Sequence, residues 1–252
     1  MIAAYHRPES LDEALELLSR PSPVTVPLGG GTVLSHHRGD AIEVVDLQAL
    51  GLNRISERGK SLDVGATATL QQLLESPICP EAMAVALRLE APLNLRNSSS
   101  MAGTLMVCDG RSSFVTLLLA LDSKLAVRRP EPETLPLSEF LPMRGQFGAG
   151  FLITGMEFPL APRVAFDYVA RTLADRPIVA VALAQWPSGR TRLALGGFGS
   201  LPLLAMDGTE ADGLENAARS TMHAANDPWG SAEYRMDVAA TLSRRCLARL
   251  NA

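Results

Sequence analysis

The chain has 252 residues, 47% hydrophobic and 20% charged, with a formal net charge of −4. That is enough apolar surface for one large domain or two modest ones. Aromatic content of 5% and the lack of any dense Lys/Arg cluster argue against a nucleic-acid binder, and no uninterrupted apolar run of about 18 residues is present to span a membrane.

The predicted elements begin with a helix. Ser10-Leu11-Asp12-Glu13 reads as a capping box, Leu11, Ala14, Leu15 and Leu18 recur at helical spacing, and Pro21 and Pro23 stop the run. Val24-Thr25-Val26 reads as a short strand running into Gly29-Gly30-Gly31-Thr32, and Ile42 to Leu47 as a second. A third strand is expected over Ser61–Ala66, followed by Thr69 as the cap of a helix through Leu74 and another helix from Glu81 to Leu89. Asn97 to Thr104 reads as a polar loop of small residues, Phe114 to Leu121 as a buried helix and Leu125 to Val127 as a strand. Residues 129–150, rich in Pro, Glu and Gly, read as irregular connections. Beyond a strand at 151–158 and a boundary marked by Pro159 and Pro162 come strands near 164–171, 178–186 and 190–198, then helices near 209–225 and 231–250. Strands and helices mix without strict alternation, which favours an α+β fold over a doubly wound sheet.

Metal and compartment signals are sparse. Cys79, Cys108 and Cys246 form no C-x-x-C pair, so no zinc or iron–sulfur frame is expected, and the odd count suits a reducing cytoplasm. The adjacent His36 and His37 make a poor metal site, the N-terminus does not read as a secretory signal, and no Ser/His/Asp triad is evident.

Two glycine-bearing loops stand out. Leu28-Gly29-Gly30-Gly31-Thr32 follows a strand, and consecutive N–H groups in such a turn form a concave anion site. Its spacing is neither G-x-G-x-x-G nor a P-loop. Ser98-Ser99-Ser100-Met101-Ala102-Gly103-Thr104 offers hydroxyls and small side chains that admit a diphosphate. Taken alone, each reads more readily as a plain turn, the first flexible and the second solvated and serine-rich.

In order along the chain, Tyr5-His6-Arg7-Pro8, Gly29-Gly30-Gly31-Thr32, Val64-Gly65-Ala66-Thr67-Ala68-Thr69, Ser100-Met101-Ala102-Gly103-Thr104, Leu195-Gly196-Gly197 with Pro202, and Ser231-Ala232-Glu233-Tyr234-Arg235 carry a resemblance. Nearly end to end, the sequence resembles the FAD-binding medium subunit of molybdenum hydroxylases, the group of carbon monoxide and xanthine dehydrogenases. The resemblance implies a two-part, PCMH-like FAD-binding domain over 1–160, subdivided near 55. A smaller α+β domain with a small antiparallel sheet would follow over 163–252. It also implies FAD between the domains, its diphosphate on the two loops, with Leu28, Val33, Ser113 and Tyr168 joining Gly29–Thr32 and Ser100–Thr104 as site residues. Expected partners are an iron–sulfur subunit and a molybdopterin-binding large subunit, with NAD or a quinone as electron acceptor.

Several positions depart from the family pattern. Val33 stands where the first loop usually has Asp, Ala102 replaces a Gly, Thr104 an Asn, Ser113 an Asp and Tyr168 a Lys, while Arg171 is kept. Ala102 is tolerable only at negative φ. These changes motivate an alternative, a flavin-free structural subunit of the same type of complex. A self-contained flavin reductase would need an acid or base in the C-terminal part, where none stands out. Arg96 reads as loop support, a phosphate partner or a helix-end ion pair, Arg171 and Asp175 as an ion pair, Trp229 and Tyr234 as anchors of the last helix, and Cys108 as a buried filler.

Overall fold

The computed structural model describes residues 1–36, 39–129, 131–172 and 175–252; His37 lies outside them. Among the described residues no His/Cys/Asp/Glu group is placed to hold a metal ion, and no helix is long and apolar enough to cross a membrane. The chain forms two compact units interleaved in sequence. The first is Met1–Ser76, Leu93–Val107 and Lys124–Glu157; the second is Pro77–Pro92, Cys108–Ser123 and Phe158–Ala252.

In the first unit, β1 (Ile2–His6), β2 (Thr25–Leu28) and β3 (Ile42–Asp46) form a parallel sheet in the order β1-β3-β2. Helix α1 (Leu11–Leu18) has Ser10 as its cap, the hydroxyl accepting from the Glu13 amide at 3.2 Å. Glu13 does not complete the expected box; its carboxylate accepts the amide of Glu9, one residue before the cap. Ala14, Leu15, Leu17 and Leu18 bury against Val45, Leu47 and Leu152, each leucine contributing about 1.5–3 kcal/mol.

The same unit holds a five-stranded sheet, ordered β4-β5-β8-β6-β7, from β4 (Ile55–Arg58), β5 (Ser61–Gly65), β6 (Lys124–Arg128), β7 (Pro132–Pro136) and β8 (Leu152–Pro159). Thr69 and Gln72 form a full capping box on α2 (Leu70–Glu75). Residues 129–150 are more regular than expected: β7 pairs antiparallel with β6, and Pro136 leads into α7 (Leu137–Met143). Leu137, Phe140 and Leu141 are buried at helical spacing, so the apolar pattern prevails over the prolines. Pro136 lies outside the helix and Pro142 sits next to its end, where few backbone hydrogen bonds are lost.

The second unit is built on the antiparallel meander β12-β11-β10-β9, from β9 (Arg163–Val169), β10 (Val179–Gln185), β11 (Thr191–Gly196) and β12 (Leu203–Gly208). The last strand was not expected from the sequence, and the helix after it, α8 (Leu214–Thr221), is shorter than the expected 209–225. Val179, Val181 and Leu183 pack with residues of α8 and α9 (Ala232–Asn251). Ala180, Ala182 and Ala184 alternate to the opposite face, where α3 (Glu81–Glu90) and α6 (Ser113–Ala120) lie against the sheet. Burial on both faces explains the uninterrupted apolar run of β10. The architecture is the α+β class expected, with its small antiparallel sheet and helices.

Candidate functional site

The first glycine loop leaves the carboxyl edge of the parallel sheet, the edge at which open α/β sheets bind ligands. Leu28 closes β2 opposite Asp46, and its carbonyl accepts the Leu47 amide at 3.2 Å. Gly29-Gly30-Gly31-Thr32-Val33 follows, with Gly31 at φ +69° and its carbonyl accepting from Ser35 at 3.0 Å. Among the described residues, no hydrogen bond engages the amides of residues 29 to 33. Val33 is 53% exposed.

The second loop differs from its sequence reading. Residues 98–100 are irregular, but Met101–Val107 is a helix, α5, preceded by the short α4 (Leu93–Arg96). The polar, small-residue composition hid a helical spacing: Met101, Thr104 and Leu105 are buried one turn apart. Ser100, 4% exposed, takes the Gly103 amide on its hydroxyl at 3.2 Å, as an N-cap serine does. The Met101 amide donates to Ala68 O at 2.8 Å and the Ala102 amide to Ala66 O at 3.1 Å. The Thr104 amide donates to Ser100 O at 3.0 Å, and the Thr104 hydroxyl reaches the same oxygen at 2.9 Å. The Thr104 bond is the helix's own first i→i−4 bond; the three amides before it, of the kind a helix start ordinarily leaves without partners, are all engaged within the chain. Among the described residues Asp122 is the one non-glycine at positive φ, so Ala102 sits on the side of φ that admits its methyl.

The two loops touch. A Cβ placed on Gly30 would lie 1.4 Å from the Ser98 carbonyl oxygen, and one on Gly29 would lie 2.4 Å from the Ser100 hydroxyl oxygen. Backbone lies directly on backbone at Gly30, an approach that only glycine permits. Ser98, absent from the expected site, is the missed residue: its carbonyl does the buttressing, and a backbone atom leaves no mark in a side-chain pattern.

Other expected residues are placed apart from this contact or beside it. Arg96 Nε donates to Gln71 of α2 at 2.9 Å, which ties α4 to α2. On the neighbouring strand, buried Asp46 accepts the Tyr5 hydroxyl and, at 2.9 Å, the Gln48 amide, with Arg7 Nε 3.9 Å away. The Asp46 hydrogen bond raises the Tyr5 pKa. Ser113 and Tyr168 belong to the second unit. Ser113 is fully buried at the start of α6 and, among the described residues, its hydroxyl has no hydrogen-bond partner. Beside it, Glu90 accepts the Ser112 hydroxyl at 2.9 Å and the Phe114 amide at 3.0 Å. Burial pushes the Glu90 pKa up against those two bonds. Tyr168 lies on β9, its ring 6.3 Å from Phe166.

The arginines of the second unit are mostly structural. Burial resists the charge of Asp109, but Arg176, at 2.6 Å, and the Arg111 amide hold its pKa below the ordinary range. Arg171 pairs with Asp175 at 3.6 Å and lies over the Trp229 ring at 4.2 Å. Trp229 and Tyr234 are both 43% exposed, so neither is buried beneath the last helix. Cys108 is buried as expected.

Residues 1–161 match the family described as the FAD binding domain in molybdopterin dehydrogenase. The chain belongs to this family. The Escherichia coli protein YgfM is 28% identical over 249 residues, covering 96% of this chain and 94% of that protein. The carbon monoxide dehydrogenase medium chain of Afipia carboxidovorans is 25% identical over 277 residues, covering 98% and 96%. Among solved structures, reconstituted CO dehydrogenase from Oligotropha carboxidovorans superposes with a TM-score of 0.80 at 23% identity, covering 98% of this chain and 96% of that one, which shows a shared fold.

The first loop of this FAD-domain family member fits a diphosphate. Among the described residues five successive amides have no protein partner, one of them in the left-handed region, and open backbone donors of this kind suit an anion. Hydrophobic Val33 places no carboxylate against it.

Proposed function

We propose that the chain holds FAD as the electron-transfer subunit of a molybdopterin-dependent hydroxylase or dehydrogenase. Electrons would pass from iron–sulfur clusters in a partner subunit through FAD to an acceptor such as NAD or a quinone, while a molybdopterin-binding large subunit carries out the substrate chemistry. The observation that carries this reading is the row of open amides at Gly29–Val33, held against the second loop at the edge of the parallel sheet. Bound FAD supplies reversible redox chemistry, and the protein contributes binding, orientation and electrostatics. In this assignment the amides of residues 29–33 bind the diphosphate, Leu28 fixes where the loop leaves the sheet, and Thr32 offers a hydroxyl donor. Ser100, Met101, Ala102, Gly103 and Thr104 form the wall behind the loop. The name medium chain borne by the Afipia relative supports a role as one component among several.

The test is uptake of FAD by the purified chain, followed by quenching of flavin fluorescence. Saturation at one FAD per chain and a yellow, flavin-banded spectrum are expected; a colourless protein that ignores added FAD contradicts the proposal. For the relay, the assembled complex must bleach its flavin bands when supplied with the substrate of its molybdenum subunit.

A further inference from the structure

We infer that Ser100 is a positioning residue for the diphosphate loop, acting through Gly29, and that the second loop contributes shape rather than amide donors. The inference rests on the FAD reading above and goes beyond it by dividing the labour between the two loops. Four successive amides, Met101 to Thr104, are already bonded to Ala68 O, Ala66 O, the Ser100 hydroxyl and Ser100 O. An anion approaching from outside finds none of them available without breaking the start of α5. What the segment presents to the first loop is one carbonyl, at Ser98, and one hydroxyl, at Ser100, each in close contact with a glycine.

Ser100 is suited to the task because it is fixed from several sides. It is 4% exposed, its hydroxyl holds the Gly103 amide, its carbonyl holds the Thr104 amide and hydroxyl, and it bridges to Thr69. The neighbouring Ser99 carbonyl takes the Leu70 amide at 3.0 Å, at the start of capped α2. A rigid serine therefore sets how closely Gly29 approaches, and through the backbone sets where the open amides of Gly30 and Gly31 point. The two contacts also differ in kind. A Cβ added at Gly29 would meet a side chain, lying 2.4 Å from the Ser100 hydroxyl oxygen and 3.2 Å from Ser100 Cβ. A Cβ added at Gly30 would meet backbone alone, lying 1.4 Å from Ser98 O, 2.5 Å from Ser98 C and 3.3 Å from Ser99 N.

That difference gives a selective rescue. Gly29→Ala should raise the FAD dissociation constant about 100-fold by forcing the loop off the serine, and Ser100→Ala alone about 3- to 10-fold through the lost Gly103 bond. In the double variant G29A/S100A the hydroxyl is gone and the nearest remaining Ser100 atom is Cβ at 3.2 Å, so the affinity should return to within about threefold of S100A alone. Gly30→Ala should gain nothing from Ser100→Ala, because backbone is its obstacle. FAD titration of the five variants, with thermal unfolding of each apo-protein, reads all of this. Rescue at position 29 and none at position 30 supports the inference, including the case in which G29A unfolds and the double variant does not. Equal losses from Gly29→Ala in both backgrounds, or a double variant that fails to fold, overturns it. A wild-type chain that takes up no FAD instead sinks the FAD reading.

Discussion

The two glycine-bearing loops look alike in sequence and behave oppositely in the structure. Each is short, small-residued and placed just after a secondary-structure element. Among the described residues the first leaves its amides at residues 29–33 without protein partners, while the second has every amide from Met101 to Thr104 engaged within the chain. Glycine supplies close approach and left-handed backbone, but an anion needs donors that remain open. The same residue type therefore leaves donors open in one loop and opens a helix in the other. Where the carbonyls of Ala66 and Ala68 happen to lie decides which.

The steepest way to test that contrast is Gly30→Ala. A methyl group there collides with the Ser98 backbone, and the account expects FAD affinity to fall about 100-fold or more, equivalent to roughly 2.8 kcal/mol. Titration that shows less than about a tenfold loss would mean the loops are not pressed together. Gly31→Ala is gentler. Gly31 has φ +69° but no atom nearer than Leu28 Cδ1 at 3.5 Å, so the cost is left-handed strain of about 1–2 kcal/mol, a loss of roughly 5- to 30-fold in affinity. Gly31→Asn, which tolerates that region better, should lose less. Smallest of all is Ala102→Gly, which restores a family glycine inside α5. Because Ala102 already has negative φ and a bonded amide, FAD affinity should stay within about twofold while stability falls by up to about 1 kcal/mol. A tenfold gain in affinity would place the second loop in direct contact with the ligand.

Much of the framework was legible because its signals are local. Ser10, Thr69 and Ser231 cap their helices with their own hydroxyls, and the apolar spacing of Leu11–Leu18 and the run at Phe114–Leu121 follow directly. What stayed hidden depends on distant partners. β1 is half-exposed and exists through pairing with β3, β12 through pairing with β11, and β7 through pairing with β6. For the site, the residues of both loops could be named from motif order, and the structure brings the two segments together. The difference between open and engaged amides could not be read, because Ala66, Ala68 and Ser98 act through backbone carbonyls that any residue carries. Ser113, named on resemblance, proves to be a fully buried hydroxyl beside Glu90 that has no hydrogen-bond partner among the described residues. That arrangement depends on α3 meeting α6.

Amide hydrogen exchange, read residue by residue with and without FAD, tests the central asymmetry most directly. The amides of Met101 to Thr104 should already be protected in the apo-protein and change little on binding. Those of Gly29 to Val33 should exchange fast without FAD and slow sharply with it. Fast exchange at 101–104 in the apo-protein followed by protection on FAD binding, or indifference to FAD at 29–33, would contradict the account.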